Sequence, residues 1–386
     1  MSAVIAGYVR TPFTFAKKGA LREVRPDDLA AVALSALLKR TDIDPALIED
    51  VLMGCAYPEG PQGNNIARLA ALLAGLPIET AGATINRFCG SSMYGIHMAA
   101  GQIAIGAGEA FIVAGVESMS MVPQGGLNFS PNPRFASAQN PEAEILIQAY
   151  TSMGITAENV SKRFGVTRED QERLAFESHM KAARANEAGK LAAELTPVLL
   201  KDGTVVDRDG CIRPQTTLEA LANLKPAFGE NGVVTAGTAS PLTDGAVAVL
   251  ITSEEFAQKH NLAVTARIRS SAVAGVSPEI MGMGPVPATR KALARAGLSI
   301  DDIDVIEINE AFSSQALACM RELHLDPAKT NMDGGALALG HPLGASGARI
   351  TAKAAQVMAR EGKKLALATQ CIGGGQGIAT VLESVQ

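Results

Sequence analysis

Tryptophan is absent from this 386-residue chain, and aromatic residues make up only 4 % of it. That excludes a core built on large rings and points to interiors packed from Ala, Val, Ile and Leu. No run of lysine and arginine exceeds two residues and the net charge is −5, so neither the basic footprint of a nucleic-acid binder nor a basic membrane-surface helix is present. An anionic ligand would need a local pocket. No apolar run approaches the roughly 18 residues of a membrane span. The opening M-S-A-V-I-A-G-Y-V-R-T-P has no charged segment followed by a long apolar one, so a soluble, cytoplasmic protein with no membrane or nucleic-acid partner is expected. Five cysteines (Cys55, Cys89, Cys211, Cys319, Cys371) stand singly with no C-x-x-C pair, and the histidines show no H-x-x-x-H spacing. A disulfide framework and a zinc site are both disfavoured, and no metal is expected. Asn128-Phe129-Ser130 spells the glycosylation triplet, which without a secretion signal reads as chance.

What the chain does have is 38 glycines, 47 % hydrophobic residues and enough length for two or three modules with substantial cores. Apolar runs such as Val51 to Gly54 and Ala110 to Gly115 alternate with helical patterns such as Ile66 to Ala74, and the alternation returns after residue 265. This predicts an α/β fold of βαβ units around mainly parallel sheets. Residues 119–241 read differently, with the Pro/Asn-rich Ser130 to Arg134 and a charged helix near Thr167 to Glu187, and suggest an inserted surface module. Thr167 is placed to cap that helix, with acids in its first turn. Two pairings hint at duplication: Leu34 to Gly54 matches Lys291 to Glu310, and Cys89 to Gly108 matches Gly344 to Gly362. Turns at corresponding strand ends would then meet at one site.

Four stretches carry candidate chemistry. In N-R-F-C-G-S-S-M-Y-G, Cys89 precedes a helical pattern of Met93, Ile96, Ala100 and Ile103, and a helix N-terminus lowers a thiol pKa. A buried structural cysteine fits the same local pattern. In N-M-D-G-G-A-L-A-L-G-H-P-L-G-A-S-G-A-R, glycines permit close backbone approach, and His341 before Pro342 is a candidate base for a thiol or a plain loop histidine. In A-T-Q-C-I-G-G-G-Q-G-I, Cys371 ends an apolar strand and the N–H groups of the following glycines can face an oxyanion. A phosphate loop is disfavoured there, since no Lys-Ser/Thr follows. In E-I-N-E-A, Asn309 could orient a water or a carbonyl, with Glu310 solvated or a structural acceptor. His97, His179, His260 and His324 are read as structural, the last three in surface-like patterns, and Cys55, Cys211 and Cys319 as ordinary thiols.

With N-R-F-C-G-S-S-M, A-G-V-E-S-M-S, M-G-I-T-A-E-N, T-A-G-T-A-S-P-L-T-D-G-A, N-E-A-F, G-G-A-L-A-L-G-H-P-L-G-A-S-G-A-R and C-I-G-G-G-Q-G in order, the chain resembles the thiolase family over nearly its whole length. The resemblance implies duplicated βαβ core domains in α-β-α-β-α layers with an inserted loop domain. Residues 1–118, completed by about 242–265, would form one core half; 119–241 the loop domain for CoA and acyl binding; 266–386 the other half. It implies that Cys89 takes up the acyl group with His341 as activator and Cys371 as acid/base. His341, with a water on Asn309, would face the enolate oxygen, and the N–H groups of Cys89 and Gly373 the tetrahedral intermediate. Arg213 would meet the adenine of CoA and Ser240 the pantetheine, with Met153, Phe228 and Phe312 along the pocket wall. CoA would be a substrate and no cofactor is implied. Ser152, where biosynthetic acetoacetyl-CoA thiolases usually carry histidine, favours degradative cleavage of 3-oxoacyl-CoA in fatty-acid β-oxidation. The alternatives are a biosynthetic acetoacetyl-CoA thiolase, a decarboxylating ketosynthase-type enzyme and a non-catalytic acyl-CoA or lipid carrier on the same fold. The family implies a homodimer or homotetramer, and for some degradative members a hydratase/dehydrogenase subunit as partner.

Overall fold

The computed structural model describes residues 1–136 and 142–385. Runs rich in Val, Ile and Ala become the strands of one sheet, the central ones covered on both faces by helices. They are β1 (Ala3–Arg10), β2 (Asp50–Gly54), β3 (Ala81–Ile85), β4 (Ala110–Ser118), β5 (Thr243–Ser253), β6 (Ala266–Gly275), β7 (Val305–Ile308), β8 (Leu365–Ile372) and β9 (Gln376–Glu383). Every residue of β4 and β5 is buried. The main helices are α1 (Pro26–Thr41), α2 (Ile66–Leu73), α3 (Ser91–Ala104), α4 (Met153–Phe164), α5 (Arg168–Glu187), α6 (Pro285–Ala296), α7 (Ser313–Leu323) and α8 (Leu343–Arg360). Helix α5 starts as the sequence predicts: the Thr167 hydroxyl accepts from the Asp170 N–H at 3.1 Å and the Asp170 carboxylate accepts from the Thr167 N–H at 3.2 Å, a reciprocal cap.

The strands run in the order β3-β2-β4-β5-β1-β6-β9-β8-β7. The two halves of this array are joined where β1 meets β6 at only Val4↔Arg267 and Ile5↔Ala266. In the first half β2 runs parallel to β3 and β4, while β5 is antiparallel to β4 and β1. In the second, β7 runs parallel to β8, while β9 is antiparallel to β8 and β6. An isolated parallel bridge from Ile306 to Thr330 occupies the place that β3 holds in the first half. The duplication hinted at by the sequence is therefore a repeat of strand order, with α1 and α6 leading into β2 and β7, and α3 and α8 leading into β4 and β8.

The expectation of mainly parallel sheets is corrected: antiparallel pairs outnumber parallel ones. β9 follows β8 through a tight turn, which only antiparallel strands can share, and β5 re-enters beside β4 from the opposite end after a long excursion. Layering follows from three apolar clusters. One packs α1 and α2 on the outer face of the first half, through residues such as Leu34, Leu37, Ile66 and Leu250. One places α3 and α8 centrally, with Met93, Ile96, Ile350 and Val249. The third packs α6 and α7 on the outer face of the second half, with Ala292, Ala318, Leu367 and Val381. The result is an α-β-α-β-α stack.

The glycine-rich start of α8 lets the central layer close. A Cβ at Gly344 would lie 2.6 Å from the Gly54 carbonyl oxygen, and one at Gly347 would lie 2.5 Å from the Met93 nitrogen. Both obstacles are backbone and cannot step aside. Gly347→Ala is therefore expected to push α3 from α8 and destabilise the protein by about 3 kcal/mol, the upper range for overpacking. Urea denaturation of the variant beside the parent checks it, and an unchanged midpoint would refute it. No helix among the described residues is long and apolar enough to cross a membrane.

Candidate active site

The turn from β3 into α3 is held by its own side chains. Asn86 Oδ1 accepts from the Phe88 N–H at 2.9 Å, and Ser91 Oγ accepts from the Arg87 N–H at 2.9 Å while donating to the Phe88 carbonyl at 2.5 Å. These bonds fold Phe88 into the left-handed region at φ 44°, a conformation a bulky residue adopts only when its surroundings impose it. Cys89 follows directly and is buried. Burial pushes its thiol up to about 11; the Gly373 N–H pulls it down and the Glu117 carboxylate raises it further. The lowered pKa expected from the helix N-terminus is thus reversed, because desolvation of the thiolate outweighs the terminal N–H groups. Such a thiol needs a base when it reacts.

His341 is the base that the family resemblance implies. Its backbone N–H donates to Thr243 Oγ1 at 3.0 Å, its Nδ1 lies 2.5 Å from Ser346 Oγ, and that hydroxyl donates to the Pro342 carbonyl at 2.9 Å. A hydroxyl has one proton, so Ser346 must accept from Nδ1–H. Nε2 then carries the lone pair, which accepts from Asn309 Nδ2 at 3.3 Å. Burial, and then the positive charge of Arg349, lower the imidazole pKa to about 3, which keeps the ring neutral.

Asn309 directly follows β7 and is fully buried. The strand end is fixed by Asn331, whose amide pairs with the Ile308 N–H and C=O, both at 2.9 Å, and donates to Glu310 at 2.7 Å. Glu310 also accepts from Ser178 Oγ at 2.7 Å and from the Leu337 N–H at 3.2 Å. Of its two anticipated readings the structure selects the buried acceptor. Cys371 lies near the end of β8, paired with Gly377 of β9, and Gly374 and Gly375 turn the chain with φ of 78° and 83°. Burial, and then the neighbouring Cys89, push the Cys371 thiol well up. The Gly373 N–H meets the Cys89 sulfur, so the two thiols, contributed by the two halves of the duplicated core, share one site.

Met153, Phe228 and Phe312 join Cys371 in one apolar cluster. The Phe228 and Phe312 rings meet edge to face with centroids 6.0 Å apart. Ser240 lies alongside, its N–H donating to the Ala311 carbonyl at 3.0 Å. Arg213 stands farther out, exposed, with its guanidinium 5.2 Å from the Phe15 ring centre. Arg213, Phe15, His179, Ala239 and Pro241 line one small cleft, whose Ala239 belongs also to the Cys371 cluster. His179 corrects its surface reading: it is buried, accepts from the Arg213 N–H at 3.2 Å and is lowered to about 4 by burial and then by Arg213.

Sequence reasoning passed over Ser346, Glu117 and Gln370. Ser346 stood four residues after Pro342 in the first turn of α8, within reach of that carbonyl. Glu117, an acid inside the apolar run of β4, accepts from the N–H groups of Ala56 and Gly344, each at 2.8 Å, from Tyr57 N–H at 3.2 Å and from Gln62 Nε2 at 2.9 Å. It thereby ties the start of α8 to the loop after β2. A lone charge in a buried strand signals such a hub, because it persists there only when fully paired. Among the described residues no group of His, Cys, Asp or Glu is placed to hold a metal ion.

Comparison with known proteins extends over the whole chain. The family described as thiolase, N-terminal domain, matches residues 3–255, and that described as thiolase, C-terminal domain, matches residues 262–384. The 3-ketoacyl-CoA thiolase of Shewanella denitrificans is 49 % identical over 394 aligned positions, covering 99 % of each chain. The 3-ketoacyl-CoA thiolase of Saccharophagus degradans is 47 % identical over 391 positions, covering 99 % of this chain and 98 % of that one.

Proposed function

The chain belongs to the thiolase family, and from that premise we propose that it cleaves 3-oxoacyl-CoA with CoA to acetyl-CoA and a shortened acyl-CoA. Fatty-acid β-oxidation is the setting that the names of its relatives suggest. The observation that carries the reading is the meeting of two buried thiols, Cys89 and Cys371, brought together from the two halves of the core.

Cys89 gives its proton to His341 Nε2 as its sulfur bonds to the 3-oxo carbon. The Cys89 and Gly373 N–H groups stabilise the oxyanion so formed; one such donor lowers the barrier by about 3 kcal/mol. Collapse breaks the bond between C2 and C3 and leaves the acyl group on Cys89. The electron pair goes to C2, where the enolate oxygen faces His341, now protonated, and a water on Asn309. Cys371 protonates C2 and acetyl-CoA departs. The Cys371 thiolate then takes the proton of an incoming CoA thiol, the CoA sulfur attacks the thioester, and Cys89 leaves and recovers its proton from His341. A thiol suits the proton-transfer role because its ordinary pKa, near 8.5, lies closer to neutrality than a hydroxyl's. CoA enters as a substrate, and no metal or other cofactor takes part.

Residues 119–241, with Met153, Arg213, Phe228 and Ser240, form the loop domain that holds CoA and the acyl chain, between core halves 1–118 (completed by 242–265) and 266–386. Assembly is at least a homodimer. The reading rests on β3, the last strand of the array, whose free edge is a template for pairing, and on Leu72, Leu73 and Ile78 exposed near it. A homotetramer is the alternative assembly, a hydratase/dehydrogenase subunit is the partner that some degradative members of the family take, and a cytoplasmic location completes the proposal.

The deciding experiment compares CoA-dependent cleavage of acetoacetyl-CoA and of a medium-chain 3-oxoacyl-CoA. The expected result is a kcat/KM at least about tenfold higher for the longer substrate, the gain from burying two or more extra methylenes. Turnover of acetoacetyl-CoA alone would replace the degradative reading with the biosynthetic one.

A further inference from the structure

Gln370 is fully buried on β8, immediately before Cys371. Its Nε2 donates to the carbonyl oxygen of Cys89. A buried amide here is unfavourable unless its bond matters, since an apolar side chain of similar size would fill the same space without desolvating polar atoms. We propose that Gln370 is a positioning residue that fixes the Cys89 turn to the strand carrying Cys371, and so sets the separation of the two thiols. The proposal rests on the thiolase reading for its meaning in the reaction, and on the hydrogen bond itself for its geometry.

Three successive parts of one segment touch the turn. Gln370 holds the Cys89 carbonyl. Ile372 fills the space beside Gly90, where a Cβ would lie 2.4 Å from its Cδ1. The Gly373 N–H meets the Cys89 sulfur. Gln370 restrains the peptide between Cys89 and Gly90, and with it the direction of the Cys89 Cα–Cβ bond. The turn needs that restraint, because the neighbouring Phe88 sits at φ 44° and would relax if its surroundings loosened.

The chemistry makes the spacing matter. Cys89 attacks C3 and Cys371 protonates C2, two directly bonded atoms, so neither thiol can drift without missing its target. A misplacement of about 1 Å costs on the order of 100-fold in rate.

The test uses Gln370→Met, which keeps the volume and removes the donor, and Gln370→Glu. Two measurements are made on each full-length variant and the parent: the rate of Cys89 alkylation by iodoacetamide, resolved by mass spectrometry, and kcat and KM for 3-oxoacyl-CoA cleavage. In Gln370→Met, alkylation of Cys89 slows about fivefold and kcat falls about tenfold or more while KM stays within about twofold. In Gln370→Glu, a protonated carboxyl donates to the Cys89 carbonyl and an ionised one repels it. Its kcat relative to the parent therefore rises as pH is lowered from about 8.5 to about 6. Parental alkylation and kcat in Gln370→Met, or a flat ratio in Gln370→Glu, would overturn the proposal. If neither parent nor variants cleave 3-oxoacyl-CoA but alkylation slows in Gln370→Met as expected, the substrate reading fails and the positioning role stands.

Discussion

Cys89→Ala is expected to lower kcat for thiolysis by roughly 10,000-fold or more, the usual consequence of deleting a covalent nucleophile, while leaving the fold intact. The substitution removes one sulfur from a small apolar cluster with Ala56, Met119 and Leu343, so its cost in stability is only about 1 kcal/mol. The size of the kinetic effect follows from the site. Burial pushes the thiol up to about 11 and keeps it protonated at neutral pH, so the nucleophile is made during attack, when His341 takes the proton. Cys89→Ser fails as well, because a hydroxyl parts with its proton still less readily. Mass spectrometry after mixing with 3-oxoacyl-CoA should show an acyl adduct on Cys89 in the parent and none in Cys89→Ala. Cleavage by the alanine variant above about 1 % of the parental rate would remove Cys89 from the mechanism.

Cys371→Ala is expected to lower kcat by about 1,000-fold, within the range for a lost general acid/base. It differs from Cys89→Ala in kind. Cys89 keeps its thiol, its Gly373 contact and its neighbouring imidazole, so iodoacetamide still alkylates it. What disappears is proton transfer at carbon. In deuterated water the parent exchanges the methyl protons of acetyl-CoA through the Cys371 thiolate, and the variant does not; proton NMR reads the difference directly. A decarboxylating condensing enzyme would have no use for this second thiol. Near-parental cleavage by Cys371→Ala would favour that reading over the one advanced above.

Much of this arrangement was legible before any coordinates, for local reasons. Cys89, His341 and Cys371 each stand among glycines at the end of an apolar run, and such turns occur where strands deliver side chains to a site. The repeat of Leu34 to Gly54 in Lys291 to Glu310 correctly anticipated α1 and β2 recurring as α6 and β7. What could not be read depends on distant parts of the chain. The direction in which β5 meets β4 is decided by the path between them, and no residue of either strand encodes it. The pKa of Cys89 was misjudged because the helix start is a local feature whereas burial is contributed by the other half of the molecule. His179 looked like a surface residue within a charged helix, yet its side chain packs inward under Arg213. Gln370 lay in an apolar strand beside a far more conspicuous cysteine, and its partner is 281 positions away.

The pairing of β1 with β5, Ala3 against Ser253 and Arg10 against Val247, bears on how the chain is made. A ribosome releases Cys89 long before β5 exists to complete the first half of the array, and longer still before His341 and Gly373 emerge. Throughout that interval the nascent chain holds a nucleophile with neither its base nor its oxyanion donor. Strand β1 also waits for both its partners, β5 and β6, with long-range contacts that close slowly. Newborn chains should therefore occupy chaperones until translation has passed Ser253, and they should gain activity in a single step once β8 and β9 have been released.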